Sequence, residues 1–137
     1  MSVSDRLRNE IIRSVLLKHA GTGDHRDVLA ANEIRIWEYV IRKFTPLIGA
    51  TSITLILHRS LDINKQVFPW LVAASTRHNP EDVCRDLIQS FERRHPADIV
   101  EANSALMITF AQILDILIGE RLTTLYLLSA LPQERLD

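Results

Sequence analysis

The sequence predicts an all-α protein, a helical bundle of about five to six helices with a candidate internal two-fold repeat, and three observations carry the prediction. Four glycines and five prolines are the main punctuation of the chain, and they fall where helix ends would sit rather than hairpin turns. Apolar residues recur at a spacing near 3.6 along almost every stretch between them. A fifteen-residue segment, Leu47 to Leu61, returns as Leu117 to Leu131 with seven identities and no gap. The 137 residues are enough for a single domain over 1–137, and a 47% hydrophobic share against 24% charged excludes disorder, because it leaves ample apolar surface to bury.

The elements follow in order. Ser4 is placed to N-cap a first helix in which Leu7, Ile11, Val15 and Leu16 share helical spacing, and Gly21 and Gly23 end it. Asp24 caps the second, which runs through Val28, Leu29, Ile34, Trp37, Val40, Ile41 and Phe44. Thr45-Pro46 reads as an N-cap with proline in the first helical position, so a break is expected there and a third helix from Pro46 to about Lys65; one long kinked helix is the alternative. Phe68-Pro69-Trp70-Leu71 then makes a corner packed on the core. Asn79-Pro80-Glu81-Asp82 starts a fourth helix with a capping side chain, a proline and two acids, and it runs to about Arg94 with Val83, Leu87, Ile88 and Phe91 on one face. Pro96-Ala97-Asp98 opens a fifth, apolar nearly all round as far as Ile118, which belongs in the centre or in a subunit interface.

The repeat has a constant offset of 70 residues and keeps Leu-Ile-Gly, Thr and three further leucines. It divides the chain into halves of about 24–70 and 80–131, each a long helix followed by a Leu-Ile-Gly helix, packed around a pseudo-two-fold axis. Gly49 and Gly119 are expected as close-packing points, since a helix interior otherwise disfavours glycine by roughly 1 kcal/mol relative to alanine.

Charge excludes some function classes. Sixteen Lys and Arg against 17 Asp and Glu leave a net charge of −1, with no excess of positive charge to draw the chain to nucleic acid or to anionic lipid. Cys84 is the single cysteine, which rules out an internal disulfide and argues against a cysteine metal cluster. The first nineteen residues intersperse Asp5, Glu10 and five basic side chains among the apolar ones, so an export signal is not expected. The apolar stretch from Ala105 to Ile118 is interrupted by Thr109, Gln112 and Asp115 and is shorter than the ~20 residues that cross a bilayer. A cytoplasmic protein is expected, without membrane or nucleic-acid partner.

Candidate chemistry is sparse. His19, Asp24, His25 and Asp27 are ligand types that zinc accepts, yet their spacing matches no metal motif, and no metal or other cofactor is expected. His58 falls on the polar arc of the third helix with Thr51, Thr54, Asp62 and Lys65, and a carboxylate at i+4 is placed to hold an imidazole and favour its protonated form. A phosphotransfer helix normally shows a basic residue three positions after its histidine and a small one next; here Leu61 and Asp62 stand there. Trp37, Tyr39, Phe68 and Trp70 are expected to seal the bundle ends, Trp70 doubling as a candidate contact residue. Asp115, within Ile-Leu-Asp-Ile-Leu, is expected to find a partner, with Arg121 or a second subunit's basic residues as candidates, to reach an edge, or to act in a functional cavity. With no catalytic triad, paired carboxylates or phosphate loop, no catalytic residue is assigned.

Phe68-Pro69-Trp70-Leu71, Pro46-Leu47-Ile48-Gly49 and Leu117-Ile118-Gly119-Glu120-x-Leu122-Thr123 together resemble the motifs of a group of small, uncharacterised all-helical bacterial proteins, over about Trp37 to Leu131. The resemblance implies a regulatory role near signalling components such as sensor kinases and carries over no catalytic residue. The expectation is therefore a non-catalytic interaction or regulatory module, a homodimer that also contacts another signalling or regulatory protein, with His58, Asp62, Trp70 and Asp115 as candidate contact residues. The alternatives are a helical sensor for a small ligand and a histidine phosphotransfer protein using His58.

Overall fold

The computed structural model describes residues 3–20, 26–72 and 78–132. Six helices account for almost all of them: α1 (Val3–His19), α2 (Arg26–Ile48), α3 (Ala50–Asn64), α4 (Pro80–Glu92), α5 (Pro96–Ile118) and α6 (Glu120–Ala130). No strand occurs among the described residues, and the all-α bundle is as expected. Gly21, Gly23, Asp24 and His25, read above as helix punctuation and ligand candidates, lie outside them.

Two 23-residue helices, α2 and α5, form the centre. Each touches the other and both shorter helices of the following repeat segments, α3 and α6, while α1 packs on α5 and α4 packs on α2. The short helices are exchanged: α3 lies on α5 as well as on its own α2, and α6 lies on α2 as well as on α5. The outer helices match too. Arg8, Asn9, Ile12 and Leu16 are buried on α1, and Val83, Cys84, Leu87 and Phe91 on α4, the same four-residue pattern displaced by 75. The burial pattern of α1 is thus echoed on α4, and α3 and α6 each pack on both long helices.

At that crossing the aromatic side chains interlock. Trp37 stands edge-on to Phe110 with ring centroids 5.2 Å apart, and Phe44 packs on Phe110 at 6.3 Å and on Tyr126 at 5.8 Å. Trp37 is fully buried rather than sealing an end, and Tyr39, expected beside it as a seal, is 39% exposed. Phe68 and Trp70 do form the expected corner, with Trp70 against Phe91 and beneath the Arg94 guanidinium.

Two expectations are corrected. The helix break does not fall at Thr45-Pro46: α2 runs through both to Ile48. Proline removes only one N–H from the ladder, the Thr45 hydroxyl donates to Ile41 O at 2.6 Å, and Gly49 N still donates to Thr45 O at 2.8 Å. The chain turns instead at Gly49 (φ 88°, ψ 155°), and again at Gly119 (φ 91°, ψ 150°). These are not close-packing points either, because a Cβ at either position would meet nothing within 4 Å. Glycine stands at both for its backbone, in a region that side-chain-bearing residues hardly enter. Each corner is one residue long: the glycine N–H closes the last turn of one helix and its carbonyl opens the next, accepting from Ile53 N at 3.2 Å and Thr123 N at 3.1 Å.

The α4 cap and the start of α5 at Pro96 hold as read, with one addition. Asn79 accepts from Asp82 N at 2.9 Å, and His95 caps α5 by accepting from Ala97 N through Nδ1 at 3.4 Å. At the other end of the chain, α1 begins at Val3, so Ser4 lies inside its first turn.

Candidate functional site

Asp115 reaches its partner from an unexpected direction. The partner is neither Arg121 nor a second subunit but Arg8 on α1, whose Nη1 donates to Asp115 Oδ1 at 2.8 Å and Nη2 to Oδ2 at 2.7 Å. The same Nη1 also donates to Thr124 Oγ1 on α6 at 3.1 Å. One guanidinium therefore joins α1, α5 and α6 next to the Gly119 corner. Arg8 is 2% exposed, and its hydrogen bonds to Asp115 raise it above its ordinary value against the opposing effect of burial. A bidentate fork of this kind is strong and geometrically selective.

A second polar group lies at the α2–α5 crossing. Glu33 is fully buried, and neither carboxyl oxygen has a hydrogen-bond partner. Burial pushes its carboxyl up to about 8; Asn103 opposes this in part, without closing a hydrogen bond through Nδ2. Asn103 itself accepts from Trp37 Nε1 at 2.6 Å. Glu33 and Asn103 stand 70 residues apart, so the repeat places them at equivalent positions of α2 and α5.

The remaining expected residues do not gather into one site. His58 is half-buried on α3, and Asp62 is exposed and paired with Lys65 at 3.7 Å. Thr54, placed on the same polar arc, is buried and donates to Ala50 O at 2.8 Å and to His78 O at 3.4 Å. Trp70 lines a separate groove with Asp86, Ser90 and Arg93.

Two larger hollows open between helices. One, of about 680 Å³, runs between α2 and α4 and is lined by Glu38, Arg42, Thr45, Glu81, Cys84 and Arg85. Burial first, then Glu38 and Glu81, push the Cys84 thiol up to about 12, so it stays protonated and is a poor nucleophile. The other, of about 670 Å³, lies where α1, α3 and α5 meet and is mostly apolar. Among the described residues no three of His, Cys, Asp and Glu stand close enough to hold a metal ion. The α5 helix is long and apolar enough to cross a bilayer by length and composition, but more than half of its apolar window is buried inside the bundle.

Sequence reasoning missed Arg8, Glu33 and Asn103. The signal was present for two of them: Arg8 precedes Ile12 and Leu16 at i−4 and i−8, and Glu33 stands between Leu29 and Trp37 on the buried stripe of α2. No protein-family model, curated protein or solved structure matches the chain.

Proposed function

We propose that the chain is a non-catalytic helical interaction module that pairs with a second copy of itself through the Gly119 corner and in that form regulates a partner protein. One observation carries the reading: at this corner Ile116 is 85%, Leu117 59% and Leu125 63% exposed, with Leu122 beside them. Clustered apolar exposure of this kind is typical of a contact surface. Glu120 and Arg121 stand next to each other at its edge, an alternation of charge that matches itself across a two-fold axis and so favours a second copy as the occupant. The Gly49 corner, where Ala50-Thr51 stand in place of that charge pair, lacks this feature. The raised Cys84 thiol, a poor nucleophile, agrees with a role without catalysis. The resemblance noted above makes a signalling protein the class of partner.

Light scattering tests the pairing. A dimer is expected at micromolar concentration for the wild type, and a folded monomer for Leu125→Glu and Ile116→Glu. A wild-type monomer at high micromolar concentration overturns the proposal.

A further inference from the structure

The apolar patch at the Gly119 corner has two arms: Ile116 and Leu117 end α5, and Leu122 and Leu125 lie on α6. In each arm the residue before an exposed member turns inward. Asp115, next to Ile116, and Thr124, next to Leu125, both accept from Arg8 Nη1, at 2.8 Å and 3.1 Å, and Arg8 Nη2 reaches the second Asp115 oxygen at 2.7 Å. Arg8 is buried whereas Ile116 and Leu125 are largely exposed, so the fork stands behind the patch and joins its two arms. The Gly49 corner has no such tie. There the matching threonines donate to backbone carbonyls, Thr45 to Ile41 O and Thr54 to Ala50 O and His78 O.

We propose that α1 is the switch of the pairing face: a second copy binds while Arg8 holds both arms of the corner, and it is released when α1 lifts away. The inference rests on the pairing proposed above. A guanidinium presents its donors in a rigid plane, so its bonds to Asp115 and Thr124 are satisfied together in one arrangement of α1, α5 and α6. Two copies related by a two-fold axis present the same patch to each other, so a change in the angle between the arms enters the contact twice. The helix is suited to move. It packs on α5 and α2 from one side and leaves Leu7, Ile11 and Leu17 exposed on the other, and a buried ion pair selects a geometry while adding little net stability. Pairing that favours the docked arrangement must in return hold α1 down, because coupling between two events is reciprocal.

The test measures pairing and folding separately on the full chain, by sedimentation equilibrium and by far-UV melts. Thr124→Val keeps the Arg8–Asp115 pair and cuts the bond to α6; it should fold and weaken pairing about three- to tenfold, the worth of one net hydrogen bond. Arg8→Lys keeps the charge without the fork and should weaken pairing about ten- to a hundredfold, within the usual span of coupling between sites. Thr54→Val, the matching change at the Gly49 corner, should pair as the wild type does. The wild type gives a reading that needs no variant: amide exchange along α1 should slow as the chain passes from monomer to dimer. Unchanged pairing in Thr124→Val and Arg8→Lys, equal weakening in Thr54→Val, or α1 exchange that ignores pairing overturns the inference and leaves the dimer standing. A wild-type monomer removes both together.

Discussion

At positions 115 and 124 the second half of the bundle carries Asp and Thr, and α1 brings Arg8 to both. Seventy residues earlier the matching positions are Thr45 and Thr54, and on the buried pattern of α4 the residue that matches Arg8 is Val83. Thr45 and Thr54 turn their hydroxyls back onto their own helices, to Ile41 O and Ala50 O. The two halves therefore share a corner and a helix arrangement but hold their outer helices by different physics. Contact of α4 with its long helix rests on apolar burial, which is strong and tolerant of small shifts. Contact of α1 adds a charged fork that works in one register. A buried ion pair adds little stability over a well-packed apolar substitute; its effect here is to specify where the first helix docks.

The largest expected effect tests that contrast directly. Asp115→Ala leaves the Arg8 guanidinium buried without its carboxylate and should lower stability in urea by about 3 to 5 kcal/mol. Thr45→Ala, at the matching position, should cost about 1 kcal/mol, one helical hydroxyl contact. Giving the second half the chemistry of the first, with Arg8→Met and Asp115→Thr together, should recover most of the loss. Equal costs for Asp115→Ala and Thr45→Ala would mean that the halves are held alike.

The α2–α5 crossing carries a second difference, because Glu33 can titrate and its equivalent Asn103 cannot. The Glu33 carboxyl is raised from its ordinary 4.5 to about 8 by burial, so in that window the unfolded chain holds fewer protons than the folded one. Stability should therefore be full below pH 4.5, fall as pH rises, and lose its last increment near pH 8, with a slope of up to about 1.4 kcal/mol per pH unit. Thermal melts at pH 5, 6, 7 and 8 should show the decline in wild type and a flatter profile in Glu33→Gln. A wild-type profile no steeper than that of Glu33→Gln would show that Glu33 ionises within the fold.

How legible these features were depends on how local they are. Asn79 and Pro80 announce α4, and Pro96 announces α5, because capping and proline placement act within one turn of chain. The Leu-Ile-Gly repeat singled out both glycines, but as close-packing points rather than as the corners they are. Pro46 misled because a proline signal allows two outcomes, a first helical position or a tolerated interior one, and the choice rests on Gly49 three residues on, where the backbone takes a conformation that only glycine readily adopts. Arg8 and Asp115 lie 107 residues apart, and nothing in either neighbourhood names the other. His58 and Asp62 were legible as a pair at helical spacing, and Lys65, on the same polar arc, stands 3.7 Å from Asp62.

The smallest expected effect tests whether the corners are as alike as their backbones. Gly49 and Gly119 differ by only a few degrees in both angles, φ 88° and ψ 155° against φ 91° and ψ 150°. An alanine at either position should cost about 1 to 3 kcal/mol, all of it from forcing a Cβ-bearing residue into this region. The two costs should agree, since each glycine makes the same pair of backbone hydrogen bonds. Side-chain size should add little, because a Cβ meets nothing within 4 Å at either site, so Gly119→Leu should melt with Gly119→Ala. A leucine variant clearly less stable than the alanine one would show that the corner is crowded and restore close packing as the reason for glycine. Unequal alanine costs would show that the charged fork beside Gly119 strains its corner in a way that Thr45 and Thr54 do not strain the other.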